Sequence, residues 1–371
     1  MTDCVIRSTG WHAPDATISN AELVEVFNAY VERFNAENAG AIDAGELDAM
    51  QPSSEEFIVK ASGIQNRHVL DRGGLMDIDR MRPRLPHRPI DDLSVQAEFG
   101  LTAAKAALAS AGRDARDVDG IIVASSAQQR NFPAVSVEIQ NALGMDGWGY
   151  DMTMACASAL FGLQQARDMI RAGSADSILI VCPEIMSAIN HYRRREVHFI
   201  FGDAAGAILV ERADLAPGGW MVLGTRLQTS FSNALRSDFG FLNHAEFEEG
   251  EKFEAFVDQD GHRVFRDVIP FASQVCEALM ADCGLTGSDI KRAWMHQANI
   301  RMVHAIAKRA LGRDPSPEEA PVILDEYGNT SSSSVVMTFN MHSDDMAAGD
   351  KGIMAAFGAG YGCGTAIVEK R

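Results

Sequence analysis

The chain has 371 residues, of which 46% are hydrophobic and 23% charged, and its formal net charge is -18. This composition predicts a globular protein with a large core. The negative charge argues against a nucleic-acid partner and disfavours a membrane surface. The sequence has no basic-then-apolar signal peptide and no apolar run of about 18 residues. We therefore expect no membrane insertion, and a cytoplasmic location.

Two stretches near the N-terminus interrupt the alternation of apolar strands and helices. Residues 28–56 are acidic and have helical spacing, and residues 71–92 are rich in proline and arginine, which is typical of a loop. Long ordered segments of this kind in a compact protein tend to shape binding sites. We interpret both stretches as insertions.

Residues 107–124 and 278–296 share a pattern that indicates duplication. In each, a helix ends at a glycine (Gly112, Gly284), an aspartate follows five residues later (Asp117, Asp289), and a short apolar strand comes next. Glycine after a helix and aspartate in a turn are common stop signals, so one copy would mean little. Two copies with matched spacing predict two similar halves.

Cys156 lies in DMTMACASALFGL, at the join between a strand and an alanine-rich helix. Backbone N–H groups at a helix N-terminus favour a thiolate, which is the reactive form of cysteine. The small residues around Cys156 would let a substrate approach closely. A buried structural cysteine is the alternative, because cysteine is common in cores. The other five cysteines are scattered, without a CxxC pair or metal-ligand spacing, so we expect free thiols and no metal site.

A second matched pair of segments supports the duplication. FGDAAGAILVER at 201–212 follows an apolar strand at 177–184, and FGAGYGCGTAIVEK at 357–370 follows another at 351–356. Apolar strands that alternate with helices predict buried sheets in an α/β protein. We predict an N-terminal half, 1–215, which holds the cysteine and both insertions, and a C-terminal half, 216–371.

Two residues of the C-terminal half are candidate partners of the cysteine. His296 lies in WMHQAN, after the strand of the second repeat, and the strand ends of α/β sheets commonly bind ligands. Asn329 lies in YGNTSSSS, after a glycine and before a helix start. Each also has a structural interpretation: a core histidine with its hydrogen bonds satisfied, and an N-cap or turn residue.

Together these motifs resemble the β-ketoacyl-ACP synthase III family of the thiolase superfamily. The resemblance covers nearly the whole chain, and the motifs that carry it are GIQNR (63–67), ACASA around the cysteine, FGD (201–203), HQAN, GNTSSSS (328–334) and FGAGYG (357–362). The insertion segments FNAYVERFNAENAGAI (27–42) and MRPRLP (81–86) resemble the subgroup that makes β-ketodecanoyl-ACP from octanoyl-CoA. The resemblance implies a duplicated five-layer α/β/α/β/α thiolase fold that works as a homodimer.

The resemblance also implies a decarboxylative Claisen condensation in fatty acid synthesis. Cys156 would take the acyl group from an acyl-CoA, of medium chain length such as octanoyl, and the N–H groups of Cys156 and Ala359 would bind the oxyanion. The family usually has glycine at the position of Ala359. His296 and Asn329 would donate hydrogen bonds to malonyl-ACP, the carrier-protein partner, and stabilise its enolate. The products would be β-ketoacyl-ACP, CoA and CO₂, and no cofactor beyond the two substrates is implied.

Three further residues match substrate contacts of the family. Phe132 matches a side chain that reaches across the dimer to limit the acyl pocket, and core packing is a compatible alternative. Arg195 matches a contact to a CoA phosphate, with a solvated charge cluster as the alternative. Phe57 and Ala61 stand where the family clamps adenine with tryptophan and arginine. Phe57 can still stack on the base, but the arginine contact is missing, which keeps acyl-ACP open as the donor.

Other functions also remain open from the sequence. One is an acyltransferase or a non-decarboxylating Claisen enzyme on the same fold. Another is a Cys-His-Asn hydrolase, against which the repeat and the C-terminal glycine turn argue. The third is a catalytically silent acyl-binding subunit, against which the intact set of Cys156, His296 and Asn329 argues.

Overall fold

Successive side chains along the strands point to opposite faces of the sheet, and helices that pack on both faces give the protein its layers. The computed structural model describes residues 3–237, 240–246, 248 and 256–371, so parts of the predicted C-terminal half lie outside the described residues. The strands are β1 (Cys4–His12), β2 (Thr17–Ser19), β3 (Asn66–His68), β4 (Gly120–Ala124), β5 (Trp148–Met152), β6 (Ser177–Glu184), β7 (Ala204–Arg212), β8 (Trp220–Ser232), β9 (Leu235–Ser237), β10 (Val257–Gln259), β11 (Arg292–Met295), β12 (Lys351–Gly358) and β13 (Gly360–Lys370).

The helices cover both sides of these strands. They are α1 (Asn20–Glu37), α2 (Ala39–Asp43), α3 (Glu55–Ser62), α4 (Arg72–Leu75), α5 (Val95–Ala111), α6 (Val135–Leu143), α7 (Ser158–Ala172), α8 (Gly261–Asp282), α9 (Ile300–Leu311), α10 (Leu324–Tyr327) and α11 (Ser333–Met341). Within the described ranges, none of them combines the length and apolar character that crossing a membrane requires.

The main sheet has the strand order β11-β12-β13-β8-β1-β7-β6-β4-β5. In the first half β4 is parallel to β6, β6 antiparallel to β7, and β7 antiparallel to β1. The same three relations recur for β11 with β12, β12 with β13, and β13 with β8. The two groups of strands are joined through a short pairing of β1 with β8. The topology is therefore duplicated, while the boundary between residues 215 and 216 stays a prediction.

β6 shows how the layers arise from a period of two. Ile178, Ile180 and Cys182 pack into a central cluster with α7 and α11, whereas Leu179 and Val181 pack against α5 on the other face. On the far side of the second group of strands, α8 and α9 form a further cluster. The order is helices, sheet, central helices, sheet, helices, as predicted for the five-layer thiolase fold.

The two predicted insertions differ in structure. Residues 28–43 are helical within α1 and α2, and residues 44–54 are irregular. α1 starts with a capping box between Ser19 and Glu22, and it buries Phe27 and Val31 in a cluster that includes Phe199. Residues 71–92 form a loop interrupted by the single turn of α4. The first insertion therefore packs on the segment that leads to the FGD motif.

Candidate active site

Cys156 lies in a 3₁₀ turn, Ala155–Ala157, that runs directly into α7. Its side chain is 7% exposed. Ala155, immediately before it, has φ +47°, a left-handed conformation that residues with a Cβ rarely adopt. Such strain in a backbone is typical of sites where one side chain must be held in a fixed direction. The tight turn presents the thiol at the start of the helix.

We expect Ala155→Gly to raise the free energy of unfolding by about 0.5–1 kcal/mol, because glycine adopts positive φ without a Cβ clash. The matched control is Ala157→Gly, at φ −86°, where glycine should destabilise by about 1 kcal/mol. Denaturant titration of both variants measures the difference. Equal destabilisation by the two substitutions would show that the turn at Ala155 stores no strain.

The protonation state of the Cys156 thiol differs from the expectation based on the helix N-terminus. Burial raises the pKa of the thiol to about 12, a hydrogen bond from Ser331 acts in the opposite direction, and the charge of Glu184 raises it further. The sequence could not show this, because the burial comes from distant segments that close over α7. The Cys156 side chain therefore rests as a thiol, and any attack by its sulfur requires that the proton leave.

Ser331 joins the cysteine to Asn329. The hydroxyl of Ser331 lies 3.3 Å from Sγ of Cys156, and its N–H donates to Oδ1 of Asn329 over 2.9 Å. A backbone N–H can only donate, so the amide of Asn329 has a fixed orientation with its NH₂ directed away from Ser331. Asn329 is 6% exposed, and its own N–H donates to the carbonyl of Ile200. The structure thus supplies Asn329 as an oriented donor near the thiol.

His296 follows β11 and is fully buried, and its backbone N–H donates to the carbonyl of Ala355. Its Nδ1 lies 2.7 Å from Oγ of Ser334, which is also 2.8 Å from the carbonyl of Ser331. If the hydroxyl hydrogen of Ser334 points to that carbonyl, the ring of His296 carries its proton on Nδ1. If the hydroxyl hydrogen points to Nδ1 instead, the ring proton lies on Nε2. Ser334 therefore selects the tautomer. Burial lowers the pKa of His296 to about 3, so the ring is neutral.

The C-terminal glycine turn packs against Cys156. A Cβ placed on Gly358 would lie 2.8 Å from the backbone nitrogen of Cys156, so the two backbones are in direct contact. Ala359, predicted to complete the oxyanion hole, is the next residue and forms the turn between β12 and β13. Only a glycine allows this approach at position 358. The turn accordingly brings Gly358, the neighbour of Ala359, against Cys156.

Sequence reasoning missed a buried carboxylate close to the thiol. Glu184, the last residue of β6, is 1% exposed and accepts hydrogen bonds from the N–H groups of Ser126 and Ser332 over 2.9 and 3.3 Å. The available signal was the alternation along β6, which continues from Cys182 to Glu184 and directs both toward the central helices. Glu184 was overlooked because it ends an otherwise apolar strand.

Of the three predicted substrate contacts, Phe132 is exposed, whereas Phe57 and Arg195 are half-buried. Phe132 is 83% exposed, which excludes the alternative of core packing within its own chain. The guanidinium of Arg195 lies 3.8 Å above the ring of Phe57, and its Nε donates to the carbonyl of Pro52 over 2.7 Å. Arg195 is thus tied to the first insertion rather than to a solvated cluster. Nothing in the described part of the chain groups three or more metal-binding side chains.

Comparisons with known proteins agree with this geometry. A model of 3-oxoacyl-[acyl-carrier-protein] synthase III matches residues 150–230, and a model of its C-terminal part matches residues 280–370. The β-ketodecanoyl-[acyl-carrier-protein] synthase of Pseudomonas aeruginosa is 47% identical over 350 residues, which are 94% of this chain and 100% of the relative. The chain belongs to the β-ketoacyl-ACP synthase III family. The resemblance to the family and to the β-ketodecanoyl subgroup is confirmed, and the chain is a condensing acyltransferase.

Other members extend the comparison. A β-ketoacyl-[acyl-carrier-protein] synthase III of Mesorhizobium japonicum is 30% identical, covering 87% of this chain and 93% of the relative. The crystal structure of the Aquifex aeolicus synthase III superposes with a TM-score of 0.77 at 22% identity, covering 99% of both chains. A priming β-ketosynthase from the R1128 polyketide pathway gives 0.76 at 25% identity, covering 99% of this chain and 96% of its own. The thiolase fold of this β-ketoacyl-ACP synthase III family member is thereby confirmed.

Proposed function

We propose that this enzyme condenses a medium-chain acyl-CoA, such as octanoyl-CoA, with malonyl-ACP to give β-ketoacyl-ACP, CoA and CO₂. One observation carries the proposal. Ser331 contacts the thiol of Cys156 with its hydroxyl and fixes the amide of Asn329 with its N–H, so a nucleophile and an oriented donor share one site. The identity of 47% with a β-ketodecanoyl-ACP synthase supports the medium chain length.

In the first half-reaction Cys156 attacks the thioester carbonyl of the acyl donor. A bond forms between Sγ and the carbonyl carbon, the bond from that carbon to the CoA sulfur breaks, and CoA leaves as a thiol. The carbonyl oxygen becomes negative in the intermediate. The backbone N–H groups of Cys156 and Ala359 are the proposed donors to this charge, since the backbone of Gly358, next to Ala359, contacts that of Cys156.

In the second half-reaction malonyl-ACP loses CO₂ and its α-carbon attacks the acyl group on Cys156. The negative charge that develops on the thioester oxygen of the malonyl group is stabilised by the amide of Asn329 and by Nε2–H of His296. For Nε2 to carry the hydrogen, the hydroxyl of Ser334 must point to Nδ1. Cysteine leaves as the thiolate and takes up one proton from solvent, which balances the loss of the malonyl carboxylate as neutral CO₂. The chemistry uses no cofactor beyond the substrates.

The carrier protein would approach a cavity with two cations and one carboxylate at the start of α9, the helix that follows His296. Lys60 and Arg301 line a cavity of about 490 Å³ together with Ile300 and Asp325. The amide of Asn299, the N-cap of α9, donates to the carbonyl of Ala61 and so joins the two walls. Two cations in a chain of net charge -18 favour a phosphate group, such as the one that carries the malonyl thioester of ACP.

We also propose a homodimer in the cytoplasm. β5 is the edge strand of the main sheet, and Asp151 on it accepts hydrogen bonds from the N–H groups of Val135 and Ser136. This holds the segment of the exposed Phe132 beside a strand edge that no described strand pairs, a combination that favours a protein partner. Sedimentation of Phe132→Ala against the unaltered chain tests the dimer: a monomer or weakened dimer supports it, and a monomeric unaltered chain contradicts it.

The function is tested by acyl labelling. The purified protein is incubated with acetyl-, octanoyl- and dodecanoyl-CoA, and adducts are located by peptide mass spectrometry. We expect octanoyl on Cys156 with little acetyl, followed by release of β-ketodecanoyl-ACP and CO₂ when malonyl-ACP is added. Preferential acetyl labelling would overturn the medium chain length. Absence of any adduct on Cys156 would overturn acyl-CoA as the donor and leave acyl-ACP.

A further inference from the structure

A continuous row of hydrogen bonds connects the nucleophile to the buried carboxylate. Sγ of Cys156 lies 3.3 Å from Oγ of Ser331, this hydroxyl contacts Oγ of Ser126, and Ser126 lies 3.3 Å from Oε1 of Glu184. Every atom between the sulfur and the carboxylate is a hydroxyl, which can donate and accept at once. We propose that Glu184 accepts the thiol proton of Cys156 through Ser331 and Ser126 during acylation.

The surroundings of Glu184 suit both of its protonation states. As an anion it accepts from the N–H groups of Ser126 and Ser332 and from the hydroxyl of Ser332. When it is protonated, its O–H can donate to Ser332, whose own hydrogen then turns to the carbonyl of Ala124, 3.1 Å away. Rotation of one hydroxyl thus accommodates the added proton without leaving a buried group unpaired.

Electrostatics allow one negative charge in this region. Burial raises the pKa of Glu184 to about 7, and its charge in turn raises the pKa of the Cys156 thiol. Moving the proton from the sulfur to the carboxylate neutralises Glu184 as the thiolate forms, so two anions never coexist there. The transfer therefore removes the repulsion that otherwise disfavours the thiolate.

Other titratable groups packed around Glu184 do not take this role. Cys182, on the same strand, has its pKa raised above the usual range by burial and by Glu184. Asp203, just before β7, is held by Ser187 and by the N–H of Leu70, and burial raises its pKa to about 6. His296 stays neutral, because burial lowers its pKa to about 3. Glu184 is the acid that the hydroxyl row reaches.

The proposed step balances with the acyl transfer. The S–H bond of Cys156 breaks, each hydroxyl passes on one hydrogen and receives another, and an O–H bond forms on Glu184. The new thioester forms as the bond to CoA breaks. The proton then returns along the same hydroxyls to the sulfur of the departing CoA, which restores the carboxylate. No oxidant, metal or further reactant is needed.

The first test compares the burst of CoA release in Glu184→Gln, Ser126→Ala and the double variant. This measurement rests on the proposed function. We expect each single substitution to slow acylation by roughly 10²-fold, the usual contribution of a general base. The double variant should acylate no more slowly than either single variant, because both residues belong to one proton path. Octanoyl transfer from already acylated enzyme to malonyl-ACP should keep its rate in each variant.

The matched control is Ser333→Ala. Its hydroxyl lies in the same run of serines but bonds the carbonyls of Cys182 and Ala204 instead of the row. We expect an unchanged acylation rate there, with thermal melts showing whether any variant is unfolded. Normal acylation in Glu184→Gln would overturn the proposal. So would normal acylation in Ser126→Ala beside slow acylation in Glu184→Gln, since Glu184 would then act by its charge alone.

Alkylation of Cys156 by iodoacetamide, from about pH 5.5 to about 9.5, tests the coupling without an acyl donor. The alkylation rate of the unaltered chain should rise with pH and level off near the pKa of Glu184, about 7, because the new anion opposes the thiolate. The alkylation rate of Glu184→Gln should rise with pH without levelling off, and that of Ser126→Ala should keep the plateau. If the unaltered chain shows this alkylation profile but accepts no octanoyl-CoA, the result contradicts the proposed function and leaves the role of Glu184 standing. Identical profiles for Glu184→Gln and the unaltered chain would contradict the role of Glu184.

Discussion

Replacing Cys156 with serine is expected to lower acyl transfer by roughly 10³-fold or more. A hydroxyl gives up its proton far less readily than a thiol, and the burial that already raises the pKa of Cys156 to about 12 would act on serine as well. The side chain is nearly the same size, so the contact with Ser331 and the fold should persist. CoA release and peptide mass spectrometry measure the loss.

Cys283→Ser is the matched control for this substitution. Cys283 follows α8 and is partly exposed, which makes it the other cysteine that solvent and reagents reach most easily. The described structure places it against Gly224 on β8, away from the serine run. Full activity in this variant with none in Cys156→Ser would assign the acyl group to Cys156. An acyl adduct elsewhere in Cys156→Ser would refute that assignment.

The second large effect is expected from Asn329→Asp, which should slow the malonyl half-reaction by roughly 10²–10³-fold. The substitution keeps the oxygen that accepts from the N–H of Ser331 and replaces the NH₂ donor with a second oxygen. Negative charge would then meet the developing enolate. Acylation of Cys156 should change little, so single-turnover assays with and without malonyl-ACP separate the two steps.

Asn340→Asp, on the helix α11 that follows Asn329, provides the comparison for a change from amide to carboxylate. The NH₂ of Asn340 donates to the carbonyl and hydroxyl of Thr9, far along the chain from the nucleophile. This variant should lose stability and keep both half-reaction rates. If Asn329→Asp slowed acylation as strongly as the malonyl step, its role as a donor to the malonyl thioester would be wrong.

The motifs were sufficient to predict the fold. They also brought forward Cys156, His296 and Asn329, each of which stands beside residues that shape the backbone around it, and the catalytic roles of these three stay predictions. The matched strand pairs likewise predicted the duplicated topology. What the motifs could not show was set by contacts between distant segments. The high pKa of the thiol and the stacking of Arg195 on Phe57 both depend on segments of the chain that meet only in the folded protein.

The hydroxyl row illustrates the same limit. Glu184 and Ser126 are separated by 58 residues, and Ser126 and Ser331 by 205, so no local pattern joins them. The run of serines was visible in the sequence, but serine before a helix is ordinary capping chemistry. Only the packing of α11 between the two groups of strands gives each hydroxyl its particular partner.

That run has a consequence for how the enzyme can diverge. Four consecutive hydroxyls, from Ser331 to Ser334, bond respectively to a thiol, a carboxylate, two strand carbonyls and an imidazole. Exchange of any one of them removes a hydrogen bond from a different group, so each position in this segment is constrained by a different contact. Laboratory evolution of new acyl specificities should therefore accumulate changes in the insertions and surface segments, and leave these four positions as they are.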